Sequence, residues 1–94
     1  MADEEIARKY SITGRVQGVG FRWFTRQTAD RIGVDGWVKN LRDGSVEVRA
    51  SGTEGQLSRL EDSLREGPRS ARVESVRSQE IEDHSLGPGF RIEH

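Results

Sequence analysis

Three glycines and one arginine lie close together near the beginning of the chain, at Gly14, Gly18, Gly20 and Arg22. Glycine tolerates a positive φ and, having no Cβ, lets the backbone come close to a ligand. A strand that turns through such a segment into a helix directs several backbone N–H groups into one concavity, which binds anions. The residue types and their spacing therefore predict a phosphate or carboxylate site.

Arg22 strengthens this prediction because the first turn of a helix is expected there. A cation in that position opposes the helix dipole by about 0.3–1 kcal/mol. An arginine that is unfavourable for the helix indicates a bound anion, which a guanidinium fork can hold through paired hydrogen bonds. The alternative is that the glycines only form a tight turn. The segment is neither a nucleotide P-loop, which needs Gly-Lys-Ser/Thr, nor the G-x-G-x-x-G of dinucleotide-binding proteins.

Length and charge limit the classes of protein to consider. The 94 residues predict one domain over residues 1–94, with residues 1–6 as a loose acidic terminus. The net charge is −1, but residues 14–49 carry seven Arg or Lys against four acidic residues, which suits an anionic ligand. The chain has no cysteine, which excludes thiolate chemistry. No apolar run approaches the roughly 20 residues of a membrane span, and we expect a cytoplasmic protein.

The elements that must position the glycine segment are predicted from hydrophobic periodicity. Alternation over residues 8–14 indicates a strand, and a helix follows over residues 22–32 with Gly33 closing it. On that helix, residues three or four positions apart should face the core: Phe21, Phe24, Thr28 and Ile32. Two further strands, over residues 34–41 and 46–50, should form a hairpin around Asp43-Gly44.

The second half of the chain repeats this alternation of helix and strand. Thr53 and Gln56 form the pattern of a capping box at the start of a second helix, which should end at Gly67-Pro68. Three leucines give that helix its apolar stripe: Leu57, Leu60 and Leu64. A fourth strand is predicted over residues 71–81, with a β-bulge at Val76, and a short edge strand over residues 90–92.

The resulting order, β-α-β-β-α-β with a short C-terminal strand, predicts an α+β ferredoxin-like sandwich: an antiparallel sheet with two helices on one face. RNA-recognition modules share this order, and residues 14–49 are basic and contain aromatic residues. Those modules, however, carry stacking aromatics in their central strands. Val46, Val48 and Ala50 stand in the predicted third strand instead. We therefore expect no nucleic-acid partner.

Two segments together resemble the acylphosphatase family. The first is Ile12 to Arg22, with the sequence ITGRVQGVGFR, and the second is Gly36 to Asn40, GWVKN, followed by Gly44-Ser45-Val46 and Gly52. The similarity extends from about Lys9 to Ile92. It implies an enzyme that hydrolyses the carboxyl–phosphate bond of acyl phosphates to a carboxylate and inorganic phosphate, without a metal or an organic cofactor.

The same resemblance implies roles for individual residues. Asn40, which by itself would be interpreted as a turn or strand-end residue, would orient the attacking water, and Arg22 would be the second catalytic residue. The phosphate would be bound by Arg15, Val16, Gln17, Gly18, Val19, Gly20 and Arg22. Gly20 replaces bulkier or thiol residues of some family members, which should matter little because its backbone contributes more than its side chain.

Other residues receive no functional role at this point. Trp23 and Trp37 are interpreted as packing aromatics, and His84 and His94 as residues without a catalytic or metal-binding role. We expect a monomer that acts on a small-molecule acyl phosphate, with no membrane partner. The alternative within the family is an accessory domain of a larger carbamoyl-transfer protein.

Overall fold

A computed structural model describes residues 4–94 of the chain. In that part of the chain the elements are β1 (Ile6–Arg15), α1 (Phe21–Ile32), β2 (Asp35–Asn40), β3 (Val46–Gly52), α2 (Glu54–Glu66), β4 (Arg72–Ile81) and β5 (Phe90–Glu93). The predicted element order is confirmed. The predicted loose terminus, residues 1–6, reaches into β1 at Ile6, and residues 1–3 of it lie outside the described part.

The strands form one sheet in the order β4-β1-β3-β2-β5. Strands β1 to β4 pair antiparallel, as predicted, but β5 runs parallel to β2, so the sheet is mixed. The reason lies in the register. Ala7 pairs with both Ile81 and Ser51, and Ser51 pairs with Asp35, so β4 ends at the same end of the sheet where β2 begins. The chain therefore starts β5 at the end of the sheet where β2 also starts, and the two strands run in the same direction.

Both helices pack on the same face of the sheet. Helix α1 lies over β2 and β5, helix α2 lies over β4, β1 and β3, and the two helices contact each other. The largest side chains between these layers are fully buried, among them Tyr10, Ile12, Leu57, Leu60 and Leu64. Burial of each such side chain contributes about 1.5–3 kcal/mol to folding. Neither helix of residues 4–94 is long and apolar enough to cross a membrane.

The face that helix α1 turns to the core agrees only in part with the sequence prediction. Its buried residues are Phe21, Thr25, Thr28 and Ala29. Phe24 and Ile32, predicted for this face, are only half-buried. Thr25 can be buried because its hydroxyl donates a 2.9 Å hydrogen bond to the carbonyl of Phe21. Hydrophobicity alone therefore predicted Phe21 and Thr28 correctly but missed Thr25 and Ala29.

The predicted β-bulge is present, but it lies before Val76. Thr13 pairs with Ser75 and Gly14 pairs with Val73, which leaves Glu74 as the extra residue of β4. Gly14 has a φ of 126°, and a Cβ there would collide with the backbone of β4. This close approach fixes the position of the bulge.

Candidate active site

The loop between β1 and α1 has the backbone that its glycines predicted. Gly18 and Gly20 have φ values of 73° and 78°, which favour glycine, and a Cβ on either would meet open space. Gly20 occupies the N-cap position of α1, and no side chain among residues 4–94 caps the helix there. The first turn of α1 also contains no acidic residue. This helix N-terminus is therefore available to an external anion.

The loop borders an open cavity of about 220 Å³. Its walls are formed by Val16, Gly18, Gly20, Phe21, Arg22, Trp23, Asn40, Ile92 and His94. The two residues predicted to be catalytic, Arg22 at the start of α1 and Asn40 at the end of β2, thus line one cavity. Three of the residues predicted to bind phosphate do not line it: Arg15, Gln17 and Val19.

Arg22 has its charge available for a ligand. Its guanidinium donates a 3.3 Å hydrogen bond from Nη1 to Nδ1 of His94. Among residues 4–94, no carboxylate forms an ion pair with it. By contrast, Arg26 one turn later pairs with Asp30 at 3.8 Å. The guanidinium of Arg22 can therefore give its remaining N–H donors to a bound anion.

Asn40 carries the most unusual polar atom of the site. Its Oδ1 is buried and accepts no hydrogen bond from any group of residues 4–94. Leaving such a group unpaired costs about 1–3 kcal/mol, so folded proteins rarely tolerate it without a functional reason. An unpaired acceptor beside an arginine-lined cavity fits a group that positions a small polar molecule.

Gln17 connects the glycine loop with the hairpin that carries Asn40. Its Nε2 donates hydrogen bonds of 2.8 Å to the carbonyl oxygens of Leu41 and Ser45. The side chain of this predicted phosphate ligand is thereby engaged with the hairpin. Since Leu41 directly follows Asn40, Gln17 fixes the distance between the loop and the asparagine.

The turn of this hairpin has its own fixed geometry. The carboxylate Oδ1 of Asp43 accepts hydrogen bonds from the hydroxyl of Ser45 at 2.6 Å and from its backbone N–H at 3.0 Å. These two bonds, the hydroxyl first, hold the pKa of Asp43 below its usual value. The charged form of Asp43 thus stabilises the turn next to the site.

A larger cavity of about 410 Å³ lies at the opposite end of the sheet, beside Ile6, Ile81 and Ser51. Its walls carry the acidic side chains of Glu4, Glu5, Asp35, Glu80, Glu82 and Asp83. Like charges there would repel an anionic substrate. Charge therefore favours the smaller cavity for an anion, in spite of its size.

Comparison with known proteins identifies the family of the chain. The family model described as Acylphosphatase matches residues 8–92. The chain belongs to the acylphosphatase family. An acylphosphatase of Koribacter versatilis (strain Ellin345) is 45% identical over 93 residues, which are 99% of this chain and 84% of the relative.

Solved acylphosphatase structures agree in fold as well. That from Bacillus subtilis has a TM-score of 0.90 at 34% identity and covers 95% of this chain and 99% of its own. That from Coxiella burnetii has a TM-score of 0.85 at 40% identity and covers 95% and 93%. The predicted family, ferredoxin-like fold and enzyme class are thereby confirmed: the chain has the acylphosphatase function, hydrolysis of acyl phosphates.

Besides Phe21, which was assigned to the core, three residues that line the cavity were not predicted as site residues from the sequence. Trp23, interpreted as a packing residue, is 61% exposed and lines the cavity. Ile92 reaches the cavity because β5 pairs with β2, which places Ile92 beside Val38. His94 contacts Arg22 although it was given no role. The sequence signal for Trp23 was its position directly after Arg22. Within residues 4–94, no group of three His, Asp or Glu side chains is placed to hold a metal ion.

Proposed function

We propose that the chain hydrolyses acyl phosphates by direct attack of water on phosphorus, with the loop over residues 15–20 and Arg22 as the phosphate cradle. Asn40 orients the water, and the reaction uses no metal or organic cofactor. The observation that carries the proposal is the shared cavity of Arg22 and Asn40, in which the buried Oδ1 of Asn40 is unpaired among residues 4–94.

The phosphoryl end of the substrate lies against the start of α1 in this proposal. Phosphoryl transfer spreads negative charge over three equatorial oxygens, and preorganised donors stabilise that charge most when they need no rearrangement. Backbone N–H groups around Gly18 and Gly20 and the guanidinium of Arg22 are donors of this kind. The helix fixes the backbone of Arg22, and the hydrogen bond to His94 restrains its guanidinium.

Bond changes are simple in this reaction. The oxygen of water forms a bond to phosphorus, and the bond between phosphorus and the bridging oxygen breaks. The carboxylate leaves with the electron pair, and the proton of the water passes to solvent. Because a carboxylate is a good leaving group, no strong protein base is required. Asn40 can accept a hydrogen bond from the water through Oδ1 and so align it without taking its proton.

We propose that the substrate is a small-molecule acyl phosphate and that the chain acts on it as a monomer. Two observations support the smaller cavity as the place of the reaction: the larger cavity has acidic walls, and no carboxylate of residues 4–94 pairs with Arg22.

Benzoyl phosphate hydrolysis in the presence of EDTA tests the proposal, with p-nitrophenyl phosphate as a monoester control. We expect turnover of benzoyl phosphate that EDTA leaves unchanged and no turnover of the monoester. In ¹⁸O-labelled water the label should enter inorganic phosphate. Label in benzoate would place the attack on the carbonyl carbon, and activity that EDTA abolishes and Mg²⁺ restores would contradict the metal-free mechanism.

A further inference from the structure

Trp23 is an exposed aromatic residue at an unusual place. The residue is 61% exposed, and among residues 4–94 it is the large hydrophobic residue found exposed at the surface. It follows Arg22 directly and lines the same cavity. A lone exposed hydrophobic side chain on a protein surface needs no explanation. Trp23, however, borders the proposed anion site, so its ring can contact a ligand there. Most of the residue is exposed, so its indole ring adds little to the core.

The walls of the cavity divide into a polar and an apolar part. The apolar part consists of Val16, Phe21, Trp23 and Ile92. Val16 and Phe21 are each 1% exposed and belong to the hydrophobic core, so they offer almost no surface to a ligand. Ile92 is half-buried against that core and keeps part of its surface. The apolar surface available to a ligand is therefore that of Trp23 and Ile92.

An acyl phosphate has the same division into two parts. Its phosphoryl end is anionic and fits the glycine loop and Arg22. Its acyl end carries no charge in a simple substrate and must lie outside the cradle. We propose that Trp23 and Ile92 form an acyl platform that favours acyl phosphates with an aromatic or bulky apolar acyl group; this inference rests on the proposed function.

The chemistry of the indole ring specifies the class of acyl group. Aromatic rings prefer offset-stacked or edge-to-face contacts, and such pairs contribute beyond the area that they bury. A benzoyl group is planar and can pack on the indole face, whereas an acetyl group offers one methyl. The platform thus discriminates by the size and planarity of the acyl group, while the cradle treats all acyl phosphates alike.

The experiment compares kcat/KM for benzoyl phosphate and acetyl phosphate in the wild type, Trp23→Ala and Trp23→Phe. We expect the benzoyl-to-acetyl ratio to fall by about tenfold in Trp23→Ala, the scale of one aromatic contact, and to be largely kept in Trp23→Phe. Trp37→Ala is the matched control, since Trp37 lies on β2 with its ring 5.5 Å from the guanidinium carbon of Arg49 and does not line the cavity. It should keep the wild-type ratio. A ratio that Trp23→Ala leaves unchanged overturns the platform.

A binding measurement separates this inference from the proposed function. Calorimetry gives the affinities of benzylphosphonate and methylphosphonate, which share the phosphoryl end and are not hydrolysed. The wild type should bind benzylphosphonate more tightly, and Trp23→Ala should lose that preference. If the wild type turns over neither acyl phosphate, the proposed function fails. The binding preference for benzylphosphonate over methylphosphonate would still show whether the acyl platform exists. Equal losses for both phosphonates in Trp23→Ala would place Trp23 at the phosphoryl end instead.

Discussion

The side-chain amide of Gln17 donates a 2.8 Å hydrogen bond to the carbonyl oxygen of Leu41, the residue that follows Asn40. A second bond of 2.8 Å from the same nitrogen reaches the carbonyl of Ser45. The glycine loop and the hairpin are separated in sequence by helix α1, and this nitrogen joins them. Much of an enzyme's rate acceleration comes from holding the reactants in the correct geometry. Small displacements of the groups that position them therefore lower the rate.

Replacement of Gln17 by Leu should therefore lower kcat more than phosphate affinity. The leucine keeps the size of the side chain but removes both hydrogen bonds, so the hairpin can shift relative to the loop. We expect kcat to fall by roughly 10- to 100-fold, while the inhibition constant of inorganic phosphate changes less. Steady-state kinetics with phosphate as inhibitor measures both. Gln27→Leu, on the exposed side of α1, is the control; equal kinetics in the two variants would remove Gln17 from the positioning role.

Arg22→Lys should damage the enzyme although the charge is kept. Lysine supplies a point charge in place of a planar fork of five donors. We expect kcat/KM to fall by about 10²-fold or more, the scale of losing a preorganised donor. Phosphate binding should weaken while the unfolding midpoint stays level. Arg26→Lys is the matched control on the next turn, where Arg26 pairs with Asp30 outside the cavity. Near-normal kcat/KM in Arg22→Lys would make Arg22 an ordinary surface residue.

The turn beside Asn40 should make stability depend on pH through Asp43. Hydrogen bonds from Ser45 lower the pKa of Asp43 in the folded state. A lowered pKa stabilises the fold above the unfolded pKa, about 3.9 for aspartate, and this contribution is lost as the pH falls through the folded value. The free energy of unfolding of wild type should thus exceed that of Asp43→Asn at pH 7, and the difference should shrink below about pH 4. Urea denaturation at pH 7, 4 and 2.5 measures it. A difference that is independent of pH contradicts this role of the charge.

Local chemistry explains which elements the sequence could predict. The capping box of Thr53 and Gln56 and the closure of α1 by Gly33 depend on residues within four positions of each other, and both are present. The parallel pairing of β5 depends on where β4 ends in the sheet, which is a property of the whole fold. Periodicity also missed the burial of Thr25, because its hydroxyl is satisfied by its own helix.

The candidate site also combines features that the sequence could predict with features that it could not. Residue type and position alone predict that the glycine loop and Arg22 bind an anion. Their meeting with Asn40 was implied by the family resemblance, since no local pattern brings β2 to the start of α1. The exposure of Trp23 could not be predicted from the sequence, because it depends on which face of α1 packs against the core. Gln17 was predicted to belong to the phosphate-binding loop, and the contact of its side chain with the hairpin was not predicted.

Asn40→Ala is the substitution that best separates catalysis from folding. The Oδ1 of Asn40 is buried and unpaired within residues 4–94, so its removal deletes a group that costs about 1–3 kcal/mol. The alanine variant should therefore be at least as stable as the wild type, apart from the small cavity that it leaves. Inorganic phosphate should bind with nearly unchanged affinity because the loop and Arg22 remain.

Turnover of the same variant should nevertheless fall by about 10²–10³-fold, the loss expected when one preorganised polar group is removed from a site. Unfolding midpoint, phosphate affinity and kcat are measured on one preparation. Lys39→Ala, the exposed neighbour of Asn40 on β2, controls for the loss of a side chain at this position in the strand. If Asn40 is a structural residue, its alanine variant will unfold at a lower temperature while the activity per folded molecule stays normal. That result would leave Arg22 and the glycine loop as a phosphate-binding site without its water-orienting group.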